Sequence, residues 1–414
     1  MISVAEAHRL IAAVVPGPAI EECRWQAAAG RVLAQQVAAT FPMPRFTNSA
    51  MDGFAVRAAD TSAASKDRPV ELPLQGVVAA GTEKPPQVHP GQCAQIMTGA
   101  PLPEGADSVV IVEHTNGYDS DPVQIYRPVA VGDNVRQAGE EVREGDLLLE
   151  PGVRMGPGEL GTLLGWGLER VSVYRAPAVA IAATGDELVA PGNALKPGQI
   201  YNTNLPVLSR LVTLAGGSLS GSAVLPDDPA RLEQELAGLL SGADILLTSG
   251  GVSMGRFDHL RDVLERLGLE ELFWKVAQRP GSPLLFGRLD STLVFGLPGN
   301  PVSAMIVFLE YVWPVLEQLQ GLAPQAKVTA ELAAPFPRVR GKHRFLFGQA
   351  WLEEGHLKVL PARKLGSHMF TSSLGANCIL ETPPGEAPAP PGERVSLRLL
   401  PWSGLAGQAP GPVD

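Results

Sequence analysis

Apolar positions along the chain follow two periods, and the dominant one changes from stretch to stretch. Residues 3–45 carry apolar side chains every three to four positions, beginning with Val4, Ala7, Leu10 and Ile11, which predicts helix. Over residues 46–131 the apolar runs are short and cut by glycine and proline: 77–78, 93–97, 108–112 and 123–126. That punctuation predicts a small β-rich module. Residues 132–174 read as a connector returning through a short helix after Pro157. Residues 1–45 and 132–174 are therefore expected to form one helical, linker-like domain.

Residues 175–321 have the clearest pattern. Near-continuous apolar runs at 178–183, 245–248 and 292–295 alternate with helical segments at 205–215, 229–240, 258–267 and 301–319. Strands that are apolar throughout, separated by helices, imply a parallel sheet covered on both faces, a doubly wound α/β domain. After Gly321 the pattern is β again, at 327–332, 344–352, 357–360 and 394–400, with a Pro/Gly loop at 383–392. Residues 322–414 are expected to form a small antiparallel barrel or sandwich. The fold class is α/β plus β, with four domains at 1–45 with 132–174, 46–131, 175–321 and 322–414.

Composition narrows the function. The chain has 45 Gly and 38 Pro without a period, which excludes collagen and suits a loop-rich fold. The net charge of −10 argues against nonspecific nucleic-acid binding. The charge is uneven: residues 322–414 hold ten basic and seven acidic side chains, against 23 and 36 before them. Cys23, Cys93 and Cys378 are far apart, with no CxxC pair, and the histidines show no HExxH spacing. A zinc enzyme of the familiar kinds is not expected, and a reducing cytoplasm is. No secretory leader is read at the N-terminus. The longest membrane-like run, 304–316, is broken by Glu310 and Pro314.

Ligands of a doubly wound sheet bind beyond the carboxyl ends of its strands. The first strand runs into Thr184-Gly185-Asp186-Glu187, the second apolar run into Asp227-Asp228-Pro229, the third strand into Ser249-Gly250-Gly251-Val252-Ser253, and the last into Pro298-Gly299-Asn300-Pro301. Asp258 heads the helix after Ser253, and Asn300 with Pro301 reads as a helix cap. Each motif alone is a common turn or helix start. Together at one rim they place carboxylates beside glycine-exposed amides suited to phosphate or an oxyanion. Carboxylates facing an anion need a cation between them, and oxygen-only donors suit Mg²⁺. Lys275 and Arg279 could meet the anion. So could Arg338, Arg340, Lys342 and Arg344, which share one face if that segment is extended, although such a row also suits a solvated edge strand.

Two familiar patterns do not carry chemistry. Gly156-Pro157-Gly158-Glu159-Leu160-Gly161 matches GxGxxG, but proline lies within it and no buried strand precedes it. Gly251-Val252-Ser253-Met254-Gly255 matches GxSxG, yet Ser253 stands several residues beyond its strand. No phosphate-binding GxxxxGK[ST] loop occurs.

Six ordered motifs nevertheless carry a family resemblance: residues 48–56 (NSAMDGFAV), 96–101 (IMTGAP) with 105–107, 184–188 (TGDEL), 248–253 (TSGGVS), 273–276 (FWKV) and 296–303 (GLPGNPVS), with Gly366-Ser367-His368 in the tail. The series resembles the molybdopterin molybdenumtransferases, which are similar to the C-terminal domain of gephyrin, over almost the whole chain. The resemblance implies a homodimer of elongated four-domain subunits, taking adenylylated molybdopterin and molybdate and releasing molybdenum cofactor and AMP with Mg²⁺. It implies Asp186, Glu187 and Asp258 as catalytic, with Asp52 and Thr98 of the partner subunit. It implies Glu187, Asp227, Asp228 and Asp258 as metal ligands. Ser249, Gly250, Gly251, Ser253, Lys275, Pro298, Asn300 and Pro301 would line the pterin and oxyanion pocket, and Arg279, Arg344 and Ser367 complete the expected substrate contacts. Partners of other kinds, nucleic acid or membrane, are not expected; the molybdopterin adenylyltransferase is a conceivable protein partner.

The chain departs from the family pattern in three places. Arg279-Pro280-Gly281-Ser282-Pro283 stands where the family has Lys-Pro-Gly-Lys-Pro, Phe347 where it has arginine before Gly348, and Gly139-Glu140-Glu141 where it has Gly-Glu-Asp. Ser282 and Phe347 weaken the positive field for an oxyanion, leaving molybdate or tungstate open as the physiological choice. Two other readings stay open beside insertion: a molybdopterin adenylyltransferase, and a scaffold that binds the pterin without turnover.

Overall fold

The structure is a computed structural model that describes residues 1–226, 228–251, 259–364 and 366–405. The chain divides into two compact units. One comprises Met1–Ala34, Arg154–Gly156 and everything from Arg170 onward; the other comprises Gln35–Val153 and Pro157–Glu169.

The first unit is built on a six-stranded sheet. Helix α1 (Val4–Val14) is capped by Ser3, whose hydroxyl accepts from the Glu6 amide at 3.1 Å, and it buries Val4, Ala7 and Ile11 in the core beside the sheet. Ile2 pairs with Val276, so the N-terminus belongs to this body. The helix expected to reach residue 45 stops at Val14, because Pro16 and Pro18 cannot extend its hydrogen bonds. Beyond them Ile20–Arg24 pairs antiparallel with Arg170–Tyr174, so most of the expected helical domain is strand and turn instead.

The sheet strands are β1 (Ala178–Thr184), β2 (Ser218–Leu225), β3 (Ile245–Ser249), β4 (Glu270–Trp274), β5 (Leu285–Leu289) and β6 (Thr292–Leu297), in the order β2-β1-β3-β6-β5-β4. The first four in that order are parallel, and β5 runs antiparallel to both β6 and β4, so the expected parallel sheet is mixed. The connections explain the change. A parallel neighbour needs a crossover of a dozen or more residues. Only Asp290 and Ser291 join β5 to β6, with Asp290 in the left-handed region at φ +50°.

Alternate side chains of the inner strands feed two cores. Val179, Ile181, Leu247 and Phe295 face α1, α2 (Asn204–Leu214) and the 301–319 helical segment. Ala180, Ala182, Leu246 and Val294 face α3 (Pro229–Leu240) and α4 (Leu260–Arg266). Segment 301–319 begins as α5 (Pro301–Val307), widens into a π-helical turn at Phe308–Val312, and ends as α6 (Trp313–Leu319). It is apolar enough by composition to cross a membrane, yet 78% of it is buried inside the unit. Its Glu310 accepts from His8 Nε2 at 2.9 Å and Lys327 Nζ at 2.7 Å. Burial pushes this carboxyl upward, but His8, Lys327 and Arg398 overcome it and hold it below its ordinary value.

The C-terminal strands β7 (Val328–Leu332), β8 (His343–Glu353), β9 (His356–Pro361), β10 (Cys378–Thr382) and β11 (Arg394–Leu399) form a closed five-stranded barrel in the order β8-β9-β7-β11-β10, with β10 returning to β8. Strand β10 was not expected. One face of β8 and β10 fills the barrel; the other, Phe345, Phe347 and Ile379, packs into the α/β core. The row of four cations does not share a strand face. Gly341 at φ +68° turns the chain, Arg338 pairs with Glu393, Arg340 lies 3.4 Å from Glu386, and Arg344 is buried in β8.

The second unit is β-rich, as expected. Leu74–Val78, Cys93–Ile96, Gly53–Val56 and Ser108–Ile111 form its four-stranded sheet, in that order, and Pro157–Gly165 is helical. Strand Gly53–Val56 hides within the NSAMDGFAV motif. Its glycine is obligatory, because a Cβ at Gly53 would lie 2.0 Å from the Val110 carbonyl oxygen.

Candidate functional site

In a sheet of order β2-β1-β3, the connections leaving β1 and entering β3 pass in opposite directions, and a crevice opens between their carboxyl ends. A cavity of about 770 Å³ lies there. Thr184 and Gly185 after β1, Ser249, Gly250 and Gly251 after β3, and Gly299, Asn300 and Pro301 after β6 line its floor. Glycine is required at the tightest point. Gly250 has φ +93°, and a Cβ there would meet the Thr184 carbonyl and hydroxyl oxygens at 2.9 Å. Gly251, at φ +68°, would bring a Cβ within 2.9 Å of Leu260. Asn204 ties two loops together, its Nδ2 donating to Ser249 Oγ at 2.8 Å and to the Gly299 carbonyl at 2.7 Å. Asn300 Nδ2 donates to Ser367 Oγ at 3.2 Å, fastening the C-terminal segment to the floor.

Of the expected site residues, Glu187, Ser249, Gly250, Gly251, Asn300 and Pro301 line this cavity, with Ser367 bonded to Asn300. Asp186 is exposed beside Glu187, and Pro298 is buried in the loop after β6. The Gly250 amide was expected to face a ligand; it donates instead to the Leu297 carbonyl at 3.2 Å. Asp228 accepts from the Arg231 amide at 2.9 Å as the cap of α3. Asp227, Ser253 and Asp258 lie outside the described residues. Among the described residues no group of three or more His, Cys, Asp or Glu stands together at metal-binding separation.

The expected cations gather elsewhere in the same unit. Lys275 follows β4 at φ +70°, and its ammonium sits 3.9 Å from the Trp274 ring centroid. Arg279 pairs in register with Arg344 where Gln278–Arg279 joins β8 in parallel. Burial, then the charge of Arg279, holds the Arg344 guanidinium below its ordinary value. Neither arginine nor Lys275 lines the cavity.

Asp52 and Thr98 lie in the second unit and are brought together. Asp52 Oδ1 accepts from the Thr98 amide at 2.6 Å and its hydroxyl at 2.7 Å, which lowers the carboxyl below its ordinary value.

Sequence reasoning missed one whole wall. Ile200, Tyr201, Asn202 and Thr203 enter from the loop between β1 and α2, Asn204 from the start of α2, and Phe370 from the C-terminal domain, beside Leu188 and His368 of the quoted motifs. The Asn-Thr-Asn run heading α2 was the available signal, since such residues cap helices and turns. For Phe370 the sequence carries none.

Three family models match in order: the MoeA N-terminal region (domain I and II) at residues 2–167, a probable molybdopterin binding domain at 180–318, and the MoeA C-terminal region (domain IV) at 329–400. A molybdopterin molybdenumtransferase of Haemophilus influenzae is 34% identical over 98% of this chain and 100% of its own length. Molybdopterin molybdenumtransferase 2 of Mycobacterium tuberculosis is 36% identical over 92% of this chain and 96% of its own. The crystal structure of a molybdopterin biosynthesis MoeA protein from Pyrococcus horikosii superimposes with a TM-score of 0.82 at 33% identity, covering 96% of this chain and 99% of that one.

Proposed function

The chain belongs to the molybdopterin molybdenumtransferase family, and from that premise we propose how its cavity serves the reaction. It is a transferase of molybdenum cofactor biosynthesis. The substrate is adenylylated molybdopterin: molybdate is inserted into the pterin, water attacks the phosphoanhydride, and its P–O–P bond breaks to release AMP. One observation supports this reading most directly: the cavity at the β1/β3 switch point joins a polar glycine-rich floor to the Glu187 carboxylate. The Thr184 and Ser249 hydroxyls and the Asn300 amide of that floor suit phosphate oxygens, and Asn204 holds the Ser249 and Gly299 loops at a fixed spacing.

Among the described residues Glu187 lines the cavity with Asp186 beside it, and carboxylate oxygen suits Mg²⁺ rather than a softer metal. Glu187 would hold the ion, together with Asp227 and Asp258. The chemistry that Mg²⁺ would supply, if held there, is neutralisation of negative charge on the phosphates. The reading extends to a cytoplasmic homodimer in which Asp52 and Thr98 of the partner subunit complete the site. The Asp52 carboxylate, kept ionised by Thr98, is a fixed negative charge that would orient a cationic or hydrogen-bond-donating part of the substrate.

AMP release by the purified protein from adenylylated molybdopterin, with Mg²⁺ and with or without molybdate, tests the proposal. Molybdate-dependent release is the expected result. ATP consumption with free molybdopterin would instead assign the adenylylating step. Binding without release in either molybdate or tungstate would leave a scaffold.

A further inference from the structure

Loop 275–284, between β4 and β5, carries Lys275 and Arg279 and is fastened on three sides. The Ile2 amide donates to the Lys275 carbonyl at 3.0 Å, and the Ala277 amide donates back to the Ile2 carbonyl at 2.8 Å. The His343 amide of β8 donates to the Ala277 carbonyl at 2.9 Å. The third fastening is a side chain. Gln278 is fully buried, and its Nε2 donates to the carbonyls of Pro280 at 3.1 Å and Gly281 at 3.2 Å, the two residues that follow Arg279. Its Oε1 accepts from the Tyr311 hydroxyl.

Tyr311 belongs to the π-helical turn Phe308–Val312, a local widening of the kind frequent at functional sites. Two consecutive polar residues of that turn, Glu310 and Tyr311, are both buried. The phenol stacks on His8 with ring centroids 4.8 Å apart. Burial, then the charges of Glu310 and Glu381, hold it well above its ordinary value, so it stays a donor. The same loop is seated on α5 by Gly281, at φ +83°, where a Cβ would fall 2.4 Å from Val307 Cγ2. The loop's shape is therefore set from inside the unit, by groups that face away from solvent.

What that shape achieves is visible at Arg279. It stands in register with Arg344 on neighbouring parallel strands, so the two guanidinium groups share one face. Like charges side by side destabilise a sheet, and the planar forks of arginine match an oxyanion. Resting on the reading that molybdate is a substrate met by Arg279 and Arg344, we propose that Gln278 and Tyr311 are positioning residues for that oxyanion: the buried phenol–amide pair fixes the Pro280 and Gly281 carbonyls and so holds Arg279 beside Arg344. Without the pair those carbonyls lose their buried donor, the loop turns to find another, and Arg279 moves away from the charge that repels it. The effect falls on oxyanion affinity and not on the chemistry at the Glu187 rim.

The test is AMP release by the full chain at fixed Mg²⁺ as molybdate is varied, with equilibrium dialysis of molybdate as a second readout. Tyr311→Phe keeps the ring and its stack on His8 and removes only the hydroxyl. Gln278→Met keeps the length and removes the amide. Each should raise the KM and the dialysis Kd for molybdate about tenfold, the loss expected of one or two hydrogen bonds. The kcat at saturating molybdate and the KM for adenylylated molybdopterin should stay within about twofold. Glu310→Gln weakens the same junction, but the Glu310 partners His8, Lys327 and Arg398 lie outside the loop. It should lower the melting temperature and leave the molybdate KM unchanged. An unchanged molybdate KM in folded Tyr311→Phe overturns the proposal, and so does a Glu310→Gln protein whose KM rises as much. If Gln278→Met does not fold, Tyr311→Phe decides. A wild type that binds molybdate in dialysis but never releases AMP sinks the functional reading instead, and the dialysis affinities of the variants then decide the positioning role. A wild type that does neither overturns both.

Discussion

The two halves of the central sheet have been put to different uses. Its parallel half, β2-β1-β3-β6, ends in glycine loops, a carboxylate and a cavity. Its other edge, β5-β4, where β5 alone is reversed, leads into Lys275 on an indole face and Gln278–Arg279 stitched to the barrel strand β8. The same backbone sheet supplies an open rim on one side and a mechanical junction on the other. The connections are the reason. Strands β1, β2, β3 and β6 each run into a loop that leads to a helix start at one edge, whereas β4, pointing the same way, runs into loop 275–284, which pairs with β8 before returning as β5.

The junction half should be the one that stability depends on. Glu310, on the 301–319 helical segment that packs with the barrel strand β8, is buried and paired with buried Arg398 and with the partly exposed His8 and Lys327. Glu310→Ala leaves the buried Arg398 without its anion and should cost about 3–5 kcal/mol, read as a loss of denaturation midpoint. The pH dependence has a defined sign. The carboxyl is held below its ordinary value of 4.5 in the folded chain, so its stabilisation is present above that value and lost as pH falls through the folded one. The stability gap between wild type and Glu310→Gln should therefore narrow as the pH falls below the ordinary carboxyl value of 4.5. A gap independent of pH would mean that the pairs add nothing.

The rim half should instead be where activity depends on single groups. Glu187→Gln keeps size and shape, and it should lower AMP release by about 100-fold or more with an unchanged melting curve. An unaltered rate would remove Glu187 from the chemistry. Gly250→Ala lies between these extremes. The left-handed backbone and the Thr184 contact predict a loss of about 1–3 kcal/mol. Gly161→Ala, inside a helix with nothing within 4 Å, should gain about 0.5–1 kcal/mol. If both behave alike, the tightness assigned to the floor is wrong. The smallest effect belongs to the departure from the family pattern at Ser282. Its hydroxyl donates to the Val276 carbonyl at 2.8 Å, close to Lys275. Ser282→Lys restores a cation there and should lower the KM for molybdate a few-fold without changing AMP affinity, if the junction loop handles the oxyanion.

Some of this was readable from residue order alone. Runs that are apolar at every position, such as Ile245-Leu246-Leu247, must be buried on both faces, and the glycine pairs and Asn300-Pro301 after them mark where strands stop and helices start. Burial and capping are local consequences of side-chain chemistry, so the sequence by itself determined the α/β core, its strand ends, and the floor of the cavity. Other features had no local signal. The alternating cations at 338–344 depended on whether Gly341 turned the chain. The helix expected to reach residue 45 yielded to a pairing with residues nearly 150 positions away. Strand β10 exists because a barrel needs a fifth member to close. The aromatic wall is the clearest case. Phe370 and Tyr201 are 169 positions apart, and only the docking of the barrel on the sheet brings them to one cavity. Contacts between distant segments are chosen by the packing of whole domains, and that choice belongs to the tertiary structure.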